Sequence, residues 1–226
     1  MTEFLNVFRN LDWSFLLDIV AAVIPAYICI TFHEVCHGYV AYKLGDNTAK
    51  EMGRLSLNPF RHLDIIGLFC MVRFHFGWAK PVPVNMNNFK NPKRDNALTA
   101  LAGPLSNFLL AVAAMTLFGV LFVPLARNGS SLAAGILDAV YATSYLSVSL
   151  AFFNILPIPP MDGSKVLFAF LPDRQYYKLM RYERYGILLL VLISWTDILS
   201  RPLAAASNFV VGKLLMIADF IIVRMM

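Results

Sequence analysis

Apolar residues run almost unbroken through "FLLDIVAAVIPAYICI", Phe15 to Ile30, and the same density returns near 97–124, 134–157, 185–200 and 203–223. With the first run extended over 15–43, most of these stretches reach the roughly 20 residues a helix needs to cross the hydrocarbon core. The last two are joined by "WTDILSRP", which reads either as a tight turn or as an interfacial segment.

The stretch 44–96 breaks the pattern. It holds only the short "DIIGLFCMVRFHFGWAKPVPV", whose alternation and β-branched or aromatic content predict a hairpin or re-entrant element. Such backbone is tolerated at membrane depth only where it packs on protein or lines a wet cavity. The expected fold is therefore an all-α polytopic membrane protein with five to six transmembrane helices and a short membrane-associated β-hairpin or re-entrant segment. One domain over 1–226 is expected, with a core at 15–185 and additional C-terminal helices in 186–226; no internal repeat is present.

Composition agrees. The chain is 58% hydrophobic and 15% charged, with a mean hydropathy of +0.63, whereas soluble domains carry about 25% charged residues. The net charge of +5 would suit nucleic acid, but the basic residues sit in short segments between apolar runs, and no basic face with interleaved aromatics occurs. No nucleic-acid partner is expected. Nine Lys and Arg fall within 43–96 and five within 158–184, against Arg127 alone in 125–133. If the first three spans alternate, both basic loops share a side, and the positive-inside tendency makes it cytosolic with the N-terminus outside. Cys29, Cys36 and Cys70 offer no disulfide framework. The N-terminal run lacks a cationic start and carries Asp12 and Asp18, so no cleaved signal is expected.

Against this apolar background "TFHEVCHGYVAYKLGD" stands out. His33 and His37 are four apart, one turn along one helix face, and both imidazoles can reach a single metal, with Glu34 beside them. In zinc peptidases with this HExxH pattern the histidines bind the metal and the glutamate is the general base. Ionisable groups at the end of a membrane helix are costly and by default mark a site; the bland reading is a hydrogen-bonded cluster facing the headgroups.

A tetrahedral metal that keeps one position open needs a third protein ligand. Asp162 is the candidate, in "NILPIPPMDGSKV", where three prolines break the third span on the side that the alternation assigns to HEVCH. It could instead cap a helix starting near Ser164. In "AGPLSN", Gly103 and Pro104 permit close helix approach or a local break, with Asn107 one turn on. Asn107 and Asn154 are amides inside apolar runs; each could hold substrate backbone, stabilise an oxyanion, or bond across helices. His62, His75, Tyr27, Tyr39 and Tyr42 fit interfacial roles.

HEVCH, AGPLSN and the N-x-x-P-x-P-x-x-D-G pattern, in that order, resemble the site-2 protease family of intramembrane zinc metalloproteases. "GRLSLNPFRHLDIIG" and "FGWAKPVPVNMNNFKNPKRDNAL" resemble its connecting region, so the likeness covers roughly residues 20–185. Ile65 after Asp64 and Met86 after Asn85 depart from the family's prolines. The resemblance implies His33, His37 and Asp162 as ligands of one zinc ion, Glu34 as general base, Asn154 as an oxyanion or substrate-positioning donor, and Asn107, with Gly103 and Pro104, as support. The 67–83 region would be the hairpin and loop along which an unwound substrate lies as an added strand.

Expected partners are a transmembrane protein or peptide substrate, membrane lipid and a regulatory protein, since no room exists for PDZ or CBS domains. A bacterial or archaeal cell membrane is the expected location, with the active site toward the cytosol. The competing readings are a metal transporter, which should repeat polar ligands across spans with internal symmetry, and a catalytically silent metal binder, which has no use for Glu34.

Overall fold

Every regular element among the described residues is helical. The structure, a computed structural model, describes residues 13–74, 78–194 and 196–226, without the side chains of 13–20, 71–74, 183–185, 187–194 and 197. The start of the N-terminal run, read above as uncleaved, and His75 lie outside the described residues.

Helix α1, Trp13–Lys43, carries the HEVCH motif near its C-terminal end. Gly45 then adopts a φ of 109° that side chains rarely tolerate, and the chain turns into the short α2, Thr48–Glu51. After a 3-10 turn at Pro59–Arg61 comes α3, Ile65–Phe74, and after a second at Met86–Asn88 the long α4, Pro92–Asn128. Gly129, left-handed with a φ of 65°, ends α4, and the Ser130 hydroxyl accepts from Ala133 N–H to start α5, Ser131–Ile155. Helices α6, Asp162–Phe168, α7, Asp173–Ser194, and α8, Asp197–Met225, complete the chain.

One expectation is corrected and another is met in part. The segment 65–74, expected as a hairpin or re-entrant element, is a helix, and no strand occurs among the described residues. Asp64 decides this: its carboxylate accepts from Gly67 N–H at 2.8 Å and its carbonyl from Leu68 N–H, a helix start that outweighs the β-branched content of "DIIGLF". Of the five to six spans expected, three helices among the described residues, α4, α5 and α8, are long and apolar enough to cross a membrane. The described part of α1 is diluted by His33, Glu34 and His37, and most side chains of the expected 185–200 span lie outside the description.

The core sits where α4, α5 and α8 meet, around Ala111, Met115, Val148, Val211, Leu214 and Ala218. Small residues allow close approach: a Cβ on Gly119 would stand 2.9 Å from Ala218 Cα. Hydroxyls bond between helices, Ser144 to Ala111 O at 2.9 Å and Ser149 to Ser207 at 3.2 Å. Helix α1 joins through Cys29, whose sulfur lies 3.1 Å from Ser147 Oγ. On the outside of α4, Leu98, Leu101, Leu105, Leu109 and Val112 form an exposed apolar stripe, as a lipid-facing helix requires.

Candidate metal centre

His33 and His37 are both buried, on the α1 face that meets α4. That approach depends on Gly103, where a Cβ would lie 2.5 Å from Cε1 of both rings and 2.5 Å from His37 Nε2. Pro104, beside it, is fully buried. Between α5 and α6, Pro157, Pro159 and Pro160 cannot continue the helix, and Gly163 packs under the Ile155 carbonyl, where any Cβ would collide with backbone. The first residue of α6, Asp162, is thereby turned toward α1 and buried. It does not cap Ser164, whose N–H and hydroxyl both go to Met161 O.

Three ligand atoms converge. His33 Nε2 and His37 Nε2 are 2.9 Å apart, and Asp162 Oδ2 lies 3.1 Å from the first and 3.0 Å from the second. His37 Nδ1 is 2.7 Å from Thr99 O, an acceptor, so the ring carries its proton on Nδ1 and turns a bare Nε2 lone pair inward. Asp162 Oδ2 is buried without a hydrogen-bond partner. The inward lone pair of His37 and the buried carboxylate oxygen, at these distances from each other and from His33 Nε2, repel unless a proton or a cation lies between them. Tetrahedral zinc, with ligands at about 2.0–2.1 Å, separates its ligand atoms by about 3.3 Å, so the group His33, His37 and Asp162 can hold such a metal.

Asn107, fully buried, places its Nδ2 3.1 Å from His33 Nδ1, while its Oδ1 has no partner. If His33 Nε2 faces a metal, Nδ1 bears the proton and needs an acceptor. Turning the amide over supplies Oδ1 as the acceptor for Nδ1–H. Glu34 is half-buried, and its Oε2 accepts from Val82 N–H at 2.7 Å. Asn154 donates to Leu150 O at 3.0 Å, a bond within its own helix. Sequence reasoning missed Thr99 and Val82, which act through backbone atoms and so leave no residue-type signal.

Residues 119–194 match the family model described as Peptidase family M50. YwhC of Bacillus subtilis is 36% identical over 176 residues, 78% of this chain and 80% of its own length. The chain belongs to peptidase family M50. This is the site-2 protease family that the three motifs resemble. Rip2 of Mycolicibacterium smegmatis is 26% identical over 76% of this chain and 65% of its own, and MJ0611 of Methanocaldococcus jannaschii 32% over 71% and 75%. All three carry names that include the words zinc metalloprotease. No solved structure gives a significant match. M50 membership and the apolar helices together make this chain an integral membrane metallopeptidase.

Proposed function

We propose that this protein is an intramembrane zinc endopeptidase that hydrolyses peptide bonds within or near the transmembrane segments of other membrane proteins, with one zinc held by His33, His37 and Asp162. The observation that carries the reading is the convergence of the two Nε2 atoms and Asp162 Oδ2 within 3.1 Å of one another, packed against α4, a helix apolar enough for a bilayer.

Bound zinc would acidify a water molecule and polarise the scissile carbonyl. Glu34, next in sequence to a ligand, takes the proton as the water oxygen adds to the carbonyl carbon, then returns it to the leaving amine as the C–N bond breaks. Asn154 is assigned to the substrate carbonyl oxygen; it would have to leave its bond with Leu150 O to serve there. A helical substrate must unwind locally, because its own hydrogen bonds shield its carbonyls. The site opens to the cytosolic side of a bacterial or archaeal cell membrane, in accord with the basic loops on that side. Substrate choice is left to the membrane core, the loops and a regulatory partner.

The test is cleavage of single-span membrane peptides in liposomes by wild type and Glu34→Gln, with zinc measured on both. Cleavage within the span by wild type, and an inactive variant that keeps its zinc, is the expected result. Zinc on both proteins with no cleavage of any peptide would favour a silent metal binder.

A further inference from the structure

We propose that the backbone amide of Val82 is a positioning group for Glu34, and that residues 80–85 form an arm built to deliver it. This rests on the reading of Glu34 as general base. The arm reads Lys-Pro-Val-Pro-Val-Asn, and Pro81 and Pro83 have no N–H, so Val82 N–H is the one donor of the Pro-Val-Pro stretch. It goes to Glu34 Oε2 at 2.7 Å, across 48 residues of sequence.

No sheet holds the arm; side chains and one backbone bond do. The buried Arg54 donates through Nη2 to Lys80 O at 2.6 Å and Pro81 O at 3.3 Å. Lys80 N–H bonds His62 O at 2.9 Å, and Asn85 N–H bonds the buried Asp46 Oδ2 at 2.7 Å. The Val82 side chain is itself buried and rests in a notch on α1: a Cβ on Gly38 would stand 2.9 Å from Val82 Cγ1 and 2.7 Å from Leu55 Cδ2. Gly38 follows Glu34 by four, on the same helix face. The notch seats Val82 one turn beyond the glutamate, and the one donor of the Pro-Val-Pro stretch meets one carboxylate oxygen. With Oε2 held, the carboxylate rotamer is fixed and Oε1 is left to take the proton, which is the preorganisation that a general base requires.

The experiment compares Val82→Pro, which removes the donor, with Val82→Ala, which keeps it, in wild type and in Glu34→Asp, whose shorter side chain falls short of the amide. Expected in wild type is a kcat about 100-fold lower for Val82→Pro than for Val82→Ala, which shares the loss of the Val82 side chain but keeps the donor, with KM and zinc per chain alike in the two. In the Glu34→Asp background the same change should cost little, as for residues acting through one another. Equal activity of Val82→Pro and Val82→Ala, or the same loss in both backgrounds, would overturn the proposal. If Val82→Pro does not accumulate in membranes, Gly38→Ala carries the test: a kcat loss with zinc kept, absent from Glu34→Asp, supports it, and no loss or a KM effect alone refutes it. A wild type that cuts nothing removes the protease reading and this one with it; a wild type that cuts normally, with Val82→Pro indistinguishable from Val82→Ala, removes only this one.

Discussion

Gly103 of α4 lies so close to His37 of α1 that a Cβ there would stand 2.5 Å from the ring's Nε2, the atom assigned to zinc. The same Cβ would press on His33 Cε1 at 2.5 Å, so neither ring has room to retreat toward the other. Gly103→Ala should therefore separate α1 from α4 at the site, at a cost of about 1–3 kcal/mol in overpacking. The expected readout is zinc per chain well below one after purification, with peptidase activity lost in parallel. Full zinc occupancy in this variant would mean that the rings do not hold the metal from these positions.

Asn107 meets His33 at Nδ1, on the far side of the ring from Nε2. Removing such a partner typically weakens metal binding by about 10–100-fold. Asn107→Ala should lose zinc to a chelator at a correspondingly lower concentration than wild type, while Asn107→Asp, which keeps an acceptor for Nδ1–H, should hold it more tightly than the alanine variant. Equal retention by all three proteins would reduce Asn107 to a packing residue.

These two residues also mark what could be read from the sequence. The convergence of His33, His37 and Asp162 is legible because metal chemistry selects residue types, and the break at Pro157–Pro160 announces that Asp162 leaves the helix. Gly103 is legible as a close approach but not as one against the histidines, since that depends on how α4 crosses α1. The Thr99 carbonyl and Val82 amide are not legible at all, because every residue but proline has both groups. The 65–74 stretch was misread because its Ile and Phe content suits a strand as well as a helix; the arbiter was the Asp64 side chain. Asn154 shows a further limit: an amide in an apolar helix can satisfy itself on the carbonyl four residues back, so its presence alone does not aim it at a substrate.

Asp46 gives the connecting region a pH dependence. It is buried just beyond α1 and accepts from Thr48 Oγ1 at 2.5 Å, Thr48 N–H at 3.1 Å, Asn88 Nδ2 at 2.7 Å and Asn85 N–H at 2.7 Å. Burial pushes its carboxyl up, but these hydrogen bonds outweigh it and hold the group below the usual carboxylate range. The folded-state value is thus lower than the unfolded one, so the stabilisation is complete above the unfolded value of about 3.9 and disappears as pH falls through the folded one. Thermal unfolding of wild type and Asp46→Ala in detergent should differ by a constant amount from pH 7 to about pH 5, with the gap closing below about pH 4. A gap that persists unchanged at pH 3 would show that the ionised carboxylate is not what holds the loop.

The same fold fixes which loops share a side of the membrane, and their charge then selects the side. Gly129 joins α4 and α5 by a tight reversal, so the start of α4 and the end of α5 lie together. The contacts of His37 with Thr99 O and Asp162 Oδ2 bring the C-terminal part of α1 to that end as well. The described residues of 43–96 and 158–184 therefore lie toward one end of these helices and the turn at 129–130, preceded by Arg127 alone, toward the other; the two segments carry nine and five Lys and Arg in sequence. The positive-inside tendency predicts that the basic end faces the cytosol. With a membrane-impermeant maleimide on intact cells, Ser130→Cys should label and Arg174→Cys should not, both positions being exposed; Arg174→Cys should react only after permeabilisation. The parent protein, whose Cys29, Cys36 and Cys70 are buried or partly so, sets the background. The reverse pattern would put the histidines and Asp162 on the outer side, so that water for hydrolysis, and any regulatory partner, would have to come from outside the cell.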